Sequence, residues 1–186
     1  MSLQADIQAA KERTAEKKQE KLFQGRIISV HREVITFPEG TSIVSDVVIH
    51  PGAVAIIPVM DTGEILCIKQ WRRAIQKVII EIPAGTLEEG EPPLLCAQRE
   101  LQEEIGYKAA ELIALGGFYT TPGFCTEYLH IFLGKGLIRS PLVGEDSHEI
   151  DPFPLTLDKA LDMIVSGEIN DAKTIAALGL YERYLR

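Results

Sequence analysis

The sequence predicts a single α/β domain built around a mixed sheet. Runs of alternating or β-branched apolar residues recur between Phe23 and Lys135. Helical spacing of apolar residues is confined to a few stretches, from Pro92 onward and again near the C-terminus. Several strands with few helices favour an α/β fold, and 186 residues suffice for one domain with a sizeable core.

Three parts are expected along the chain. Residues 1–21 are rich in Lys, Glu, Ala and Gln, so they predict an exposed helical or flexible segment, with the helix over residues 4–21. Residues 22–50 hold two strand-like runs around Pro38-Glu39-Gly40 and predict a β-hairpin. Residues 51–186 would form the main domain.

Within the main domain, strands are predicted in AVAIIPVM, EILCIKQW, VIIEIP, ELIALGGFY and EYLHIFLGK. The acidic stretch VGEDSHEIDPFP is expected to be irregular. Two helices are predicted to close the chain, the second with Asp171 as its N-cap. Another helix is predicted from Pro92, with Gly106 at its C-terminal end and one buried face: Leu94, Ala97, Leu101 and Ile105.

Three carboxylates share another side of that helix. Glu100, Glu103 and Glu104 stand at positions i, i+3 and i+4, so their side chains would project together. Like charges this close repel, and a divalent cation would relieve the repulsion, since hard cations prefer oxygen ligands. An isolated acidic run on a helix is more often a solvated surface, so the surrounding residues decide between the two interpretations.

Composition excludes several classes of protein. A net charge of −8 argues against nucleic-acid binding, which relies on clustered Lys and Arg. The chain has an odd number of cysteines, and they are widely spaced: Cys67, Cys96 and Cys125. This pattern indicates a reducing cytoplasm rather than a disulfide framework. No apolar run approaches the roughly 20 residues of a membrane helix, so no membrane partner is expected.

The segment from Gly85 to Gly106 resembles the signature of the Nudix hydrolase family. The match covers every fixed position of the signature: Gly85, five residues, Glu91, seven residues, RELQEE and Gly106. Tyr107 stands where the family usually has an aliphatic residue. The resemblance implies a Nudix fold, an α/β/α sandwich with a mixed central sheet, here with an N-terminal β-hairpin extension. It further implies that the loop and helix of the signature bind Mg²⁺, with Mn²⁺ as a possible substitute.

The resemblance also implies roles for individual residues. Arg99 would orient the glutamates, Glu103 would also take part in catalysis, and Glu91 would support the loop or the outer shell of the metal. Bound metal would polarise a phosphoryl oxygen and lower the pKa of an attacking water. Four residues would ligate the metal: Ala84 through its carbonyl, and Glu100, Glu103 and Glu104 through their carboxylates.

Features outside the signature resemble the ADP-ribose pyrophosphatase branch of the family. Pro122 lies sixteen residues after Gly106 within TPGFCTE. The resemblance implies that Pro122 and Glu127 of this loop bind substrate, with Glu127 at the ribose, although a Pro-Gly pair is usually only a turn. KQWRRA followed by EIPAG implies that Arg72 grips the diphosphate, because a guanidinium matches phosphate oxygens. Trp71 could stack on the base, but tryptophan is more often a core or interface residue.

The branch also places a catalytic acid in the loop before the last two helices. Glu145, Asp146 and Glu149 are all candidates to deprotonate or hold the attacking water, and the alignment does not choose among them. The alternative for each one is an exposed acid of a solvated loop.

The function that the resemblance implies is Mg²⁺-dependent hydrolysis of ADP-ribose, or of a related nucleoside diphosphate sugar, to a nucleoside monophosphate and a sugar phosphate. A GDP-mannose-type hydrolase and a non-catalytic Nudix-fold nucleotide sensor are the alternatives. In this branch the N-terminal hairpin reaches a second subunit, so a homodimer is expected.

Overall fold

A computed structural model describes residues 3–144 and 150–186, and its contacts divide the chain into two compact units. The first comprises the chain up to Pro51 together with Thr121–Glu127. The second comprises Gly52–Thr120 and Tyr128–Arg186. The signature residues from Gly85 to Gly106 therefore all belong to the second unit.

The first unit contains one helix and a three-stranded antiparallel sheet. Helix α1 spans Leu3–Thr14, and strands β1 (Glu16–Gln24), β2 (Ser29–Thr36) and β3 (Ser42–Ile49) pair in the order β1-β2-β3. The predicted β2–β3 hairpin is confirmed. The predicted helix over residues 4–21 is wrong beyond Thr14, because backbone pairing with β2 overrides the helical preference of the Lys- and Glu-rich segment.

The Thr121–Glu127 segment completes the first unit by pairing with the end of β3. The Val48 amide donates to the Phe124 carbonyl at 2.7 Å, and the Thr126 amide donates to the Val48 carbonyl at 3.0 Å. The His50 amide then donates to Thr126 Oγ1 at 3.0 Å. Pro122 and Glu127, both predicted to bind substrate, lie in this segment.

The second unit contains two sheets. One has the order β7-β4-β9-β8, in which β4 and β9 run parallel and the other neighbours antiparallel. The other is antiparallel with the order β10-β5-β6. Their bounds are β4 Ala53–Pro58, β5 Ile65–Arg72, β6 Lys77–Glu81, β7 Ala84–Thr86, β8 Tyr107–Tyr119, β9 Tyr128–Arg139 and β10 Ile150–Leu155.

Helices cover both faces of the central strand β4. Alternate residues of a strand point to opposite sides, so the packing partners of successive β4 residues show what covers each face. Val54 and Ile56 pack in a cluster with Ala97 and Leu101, whereas Ala55 and Ile57 pack in a second cluster. That second cluster includes residues of the two C-terminal helices. The α/β/α sandwich with a mixed sheet is thus confirmed. The helices are α2 (Pro93–Glu100), continued by a π-helical turn (Leu101–Ile105), α3 (Leu157–Ser166) and α4 (Ala172–Leu185).

Strand β10 occupies the end of a stretch that was predicted to be irregular. It contains Pro152 and Pro154, which lack the amide proton that a central strand needs. In the order β10-β5-β6 it lies at a sheet edge, and two prolines at alternate positions direct both missing donors away from β5. An edge position thus permits a strand where composition argued against one.

The buried face of α2 differs from the predicted one at a single position. Ala97, Leu101 and Ile105 are buried, as predicted, but Leu94 is 50% exposed and the prediction for it is wrong. The fully buried Cys96 faces the sheet in its place, with its Sγ 3.6 Å from the Thr86 carbonyl oxygen.

All three cysteines of the chain are free thiols. Burial raises the pKa of Cys67 to about 12 and also raises the pKa of Cys96, so both thiols are poorly reactive. Among the described residues, none of the helices combines the length and apolar content that crossing a bilayer requires.

The corrected helix face predicts unequal effects of two leucine truncations. Leu101→Ala should lower the free energy of unfolding by about 2–5 kcal/mol, since a fully buried side chain leaves a cavity. Leu94→Ala should lower it by less than about 1 kcal/mol, because that side chain is half exposed. Urea unfolding measures both, and equal losses would contradict the assigned face.

Candidate active site

The acidic helix of the site is not a regular α-helix throughout. Pro93 opens α2 at a position where its missing amide proton is not needed. After Glu100 the chain widens into a π-helical turn that contains Glu103 and Glu104. Gly106, at φ 76°, closes the turn by donating its amide to the Leu101 carbonyl. Such wide turns often occur at functional sites.

The carboxylate of Glu100 packs directly on the backbone of Gly85. Strand β7 lies beside β4, with Ala84 opposite Ala55 and Gly85 opposite Val54. A Cβ atom added to Gly85 would overlap the Glu100 carboxylate, so only glycine allows this approach. Glu100 is consequently almost fully buried although it is an acid.

A second carboxylate of the turn reaches the neighbouring residue of β7. The Ala84 amide donates to Glu104 Oε2 at 2.9 Å. The helix and β7 are therefore joined at two adjacent backbone positions, Ala84 and Gly85.

Arg99 connects the remaining acids. Its Nε and Nη2 donate to the two carboxylate oxygens of Glu91, both at 2.9 Å. Its Nη1 donates to Glu100 Oε1 at 2.6 Å and to Glu103 Oε2 at 3.3 Å. One guanidinium thus holds three glutamates, and the loop acid Glu91 fixes the orientation of the guanidinium.

The pKa values of the acids follow from these contacts. The hydrogen bonds from Arg99 lower the pKa of Glu91 to about 2, against a smaller opposing effect of burial. Burial raises the pKa of Glu100, and the Arg99 charge and hydrogen bond only partly offset that rise. Glu100 is therefore a buried acid whose charged form depends on nearby positive charge.

The donor atoms suit a hard divalent cation. Glu100, Glu103 and Glu104 offer carboxylate oxygens, and Ala84 offers a carbonyl, which are the ligand types that Mg²⁺ and Mn²⁺ prefer. In the described parts of the chain, no three His, Cys, Asp or Glu side chains already converge as a metal-binding group. The fit rests on donor type, on the space that Gly85 leaves for Glu100, and on the common contact of Glu100 and Glu103 with Arg99 Nη1.

A second charged cluster lies at the end of β5. Arg72 donates through Nε and Nη2 to the two oxygens of Glu81, at 2.7 and 2.6 Å. Glu81 is fully buried, and its Oε2 also contacts Lys173 Nζ. Lys173 Nζ further lies 3.0 Å from Asp171 Oδ2. The predicted diphosphate-binding arginine thus belongs to an ion-pair network, and its neighbour Trp71 is half exposed.

Two influences act on the Lys173 ammonium in opposite directions. Its burial and the nearby Arg72 guanidinium lower its pKa. The carboxylates of Glu81 and Asp171 favour the charged form. Because Nζ contacts carboxylate oxygens of both Glu81 and Asp171, the ammonium is the form of Lys173 that these contacts favour.

The other predicted site residues fall in different places. Glu127 belongs to the first unit, where its Oε1 lies 3.6 Å from His50 Nε2, and Pro122 lies in the turn closed by the Phe124 amide and the Thr121 carbonyl at 3.2 Å. The three candidate catalytic acids lie outside the described residues: Glu145, Asp146 and Glu149.

The chain that leads to those acids returns to the π-helical turn. The Leu142 amide donates to the Gln102 carbonyl at 3.1 Å, and Gln102 Nε2 donates to the Ser140 carbonyl at 3.0 Å. Gly144 then packs so closely on Glu103 that an added Cβ would lie 2.8 Å from the Glu103 Cβ. The segment preceding residue 145 therefore lies against one of the predicted ligands.

Comparison with known proteins agrees with this geometry. A family model described as the NUDIX domain matches residues 49–178. The chain belongs to the Nudix family. It is a Nudix pyrophosphohydrolase, and the matched range contains all the acids of the helix and its loop.

The similarity to known proteins covers nearly the whole chain. It is 40% identical over 178 residues to the ADP-ribose pyrophosphatase of Bacillus subtilis (strain 168), covering 92% of this chain and 93% of that protein. It is also 40% identical over 163 residues to the methanol dehydrogenase activator of Bacillus methanolicus, covering 87% and 88%. A crystal structure of an ADP compounds hydrolase shares the fold, with a TM-score of 0.82, 22% identity and coverage of 92% and 94%.

The Nudix signature and the structure bring together the same residues, whereas some contacts were not foreseen. The signature grouped Glu91, Arg99 and the helix glutamates, and the structure joins them through Arg99. The contact of Glu81 with Lys173 was missed, because 92 residues separate the two. The only signal for it was a pair of short strings, EIPAG and DAKT, whose charges had no assigned partners.

The Glu91–Arg99 pair predicts a pH-dependent contribution to stability. Because the folded-state pKa of Glu91 is lowered to about 2 from an ordinary 4.5, this contribution is present above pH 4.5 and disappears as the pH falls toward 2. At pH 7, Glu91→Gln should lower the free energy of unfolding by about 1.5–3 kcal/mol, the range for hydrogen bonds to charged groups.

Urea unfolding at pH 7, 4.5 and 2.5 checks this prediction. The difference between wild type and Glu91→Gln should shrink as the pH falls, and Glu89→Gln, which alters an exposed acid of the same loop, should have little effect at any pH. A Glu91→Gln deficit that stays constant down to pH 2.5 is the contrary result.

Proposed function

We propose that this Nudix enzyme hydrolyses the diphosphate of ADP-ribose, with Mg²⁺ or Mn²⁺ as its cofactor. The products are AMP and ribose 5-phosphate. The observation that carries the proposal is the set of carboxylates that Arg99 and the β7 backbone hold together: Glu100, Glu103 and Glu104.

The metal would be held by those three carboxylates and by the Ala84 carbonyl. When bound, it supplies stabilisation of the charge that develops on the phosphoryl group and lowers the pKa of water. Arg99 keeps Glu100 and Glu103 side by side, while its two bonds to Glu91 prevent the guanidinium from swinging away. Gly85 and the Ala84 amide fix where Glu100 and Glu104 stand.

The substrate class is supported by residues outside the signature and by the relatives. In the proposal, Arg72 binds the diphosphate, Glu127 with Pro122 contacts the ribose, and Trp71 offers an exposed aromatic face to the base. Arg72 retains 38% exposure of its side chain while its partner Glu81 is buried, so an anion can reach the guanidinium. The name of the Bacillus subtilis relative agrees with ADP-ribose as the substrate.

The bond changes are those of a hydrolysis. The oxygen of one water forms a bond to one phosphorus, and the bond from that phosphorus to the bridging oxygen breaks. The bridging oxygen remains on the other phosphate, and an acid accepts the proton that the water loses. The proposed acceptor is one of Glu145, Asp146 and Glu149, which follow the Gly144 contact with Glu103.

A homodimer in the cytoplasm completes the proposal. Strand β1 is one edge of the sheet in the first unit, and β3 is the other edge up to Val48, where the Thr121–Glu127 segment pairs with it. Edge strands present unpaired backbone groups to a partner. Exposed apolar side chains accompany them, namely Phe23, Ile43 and Val44. Three free thiols suit a reducing compartment.

A substrate panel tests the function. ADP-ribose, GDP-mannose, UDP-glucose, NADH and a diadenosine polyphosphate would each be incubated with the enzyme and Mg²⁺, and again with Mn²⁺. We expect the fastest turnover with ADP-ribose and equal amounts of AMP and ribose 5-phosphate. Preference for GDP-mannose would indicate the alternative hydrolase, and binding of all compounds without products would indicate a sensor.

Glu104→Gln tests the role of the carboxylates in that reaction. Turnover should fall by about two orders of magnitude or more, because the metal contributes several kcal/mol of transition-state stabilisation. Stability should change little, since glutamine keeps an oxygen that can accept the Ala84 amide. Glu111→Gln, at an exposed position of β8, serves as the control and should leave turnover unchanged. Near-normal turnover of Glu104→Gln would refute the assignment.

A further inference from the structure

We propose that Lys173 is a positioning residue that sets the affinity of the enzyme for its diphosphate substrate, by neutralising Glu81 so that Arg72 keeps its positive charge for the substrate. This inference rests on the proposed function, in which Arg72 binds the diphosphate. It concerns a lysine far from the Nudix signature in sequence and on a different helix.

Glu81 faces two cations at once. Both of its oxygens accept hydrogen bonds from Arg72, at 2.7 and 2.6 Å, and Oε2 also accepts from Lys173. Glu81 is fully buried and the Lys173 side chain is 16% exposed, whereas 38% of the Arg72 side chain is exposed. The exposed member of the network is thus the arginine.

The charge balance of the network depends on Lys173. Arg72 and Glu81 alone form a neutral pair, in which the carboxylate cancels the field of the guanidinium. With Lys173 on the same carboxylate, the three groups carry one excess positive charge, and Arg72 is the group that an anion can approach.

Asp171 belongs to the same network and offsets part of this excess. Its Oδ2 is shared among Lys173 Nζ, the Thr174 amide and Thr174 Oγ1, at 3.0, 2.9 and 2.6 Å. It is the N-cap of α4, where the partial positive charge of the helix terminus also compensates a carboxylate.

The start of α4 is held in place by a separate contact. Thr174 Oγ1 accepts the Ile82 amide at 3.0 Å, one residue after Glu81, and Thr174 is fully buried. This hydrogen bond joins α4 to the residue after β6 without adding charge. Thr174→Val would remove this hydrogen bond and the one that Oγ1 donates to Asp171 Oδ2, but it keeps all four charged side chains of the network. Thr174 therefore supplies a control that disturbs the same junction without removing a charge.

Steady-state kinetics with ADP-ribose at pH 7.5 test the proposal. Lys173→Met should raise KM by about tenfold, the effect of one lost charge on the binding of an anion, with kcat nearly unchanged. Thr174→Val should lower Tm with little change in KM. The double variant Lys173→Met/Glu81→Gln should have a lower KM than Lys173→Met, because it removes the carboxylate that Lys173 neutralised.

The double variant separates charge balance from simple damage, since a second lesion in a damaged core would raise KM further. The proposal is overturned if Lys173→Met changes only kcat and Tm. It is also overturned if the double variant Lys173→Met/Glu81→Gln has a higher KM than Lys173→Met. If the wild type does not hydrolyse ADP-ribose, the proposed function fails by itself. Calorimetric titration with inorganic pyrophosphate in the presence of Mg²⁺ then tests the proposal. Weaker binding by Lys173→Met than by the wild type supports it. Equal binding by the two proteins, or no binding by the wild type, overturns it.

Discussion

The rest of the site depends on the close packing of the Glu100 carboxylate on Gly85. A buried acid is costly unless positive charge or hydrogen bonds compensate it, and here Arg99 provides both. Arg99 in turn is oriented by Glu91 and also reaches Glu103. A side chain on Gly85 would expel Glu100 and thereby loosen every contact that Arg99 makes with the helix.

The five residues from Glu81 to Gly85 are held by helices on both faces of the sandwich. From α4, Lys173 binds Glu81 and Thr174 binds the Ile82 amide. From α2 and its π-helical turn, Glu104 and Glu100 contact Ala84 and Gly85. One short segment therefore connects the charged network around Arg72 with the acids of the Nudix helix. These contacts at both ends fix the positions of the site residues, because neither end of the segment can shift alone.

Sequence patterns predicted the parts of this fold that rest on local rules. The β2–β3 hairpin, the Asp171 cap and the buried Leu101 follow from turn residues, capping and periodicity. The parts that the sequence did not predict depend on tertiary context. The charged segment of β1 is a strand because it pairs with β2, and the proline-containing β10 is a strand because it lies at a sheet edge. The π-helical turn and the Glu81–Lys173 contact leave no periodic trace, since one is a local widening of a helix and the other joins residues 92 apart.

Binding of Mn²⁺, followed by electron paramagnetic resonance, tests the central role of Gly85 most directly. Gly85→Ala should weaken Mn²⁺ binding about 10- to 100-fold, the range for changes that displace the supports of metal ligands. Gly179→Ala is the matched control, because a Cβ at that position of α4 meets no heavy atom within 4 Å, and it should bind Mn²⁺ like the wild type. Equal affinities of Gly85→Ala and the wild type would contradict this account of the site.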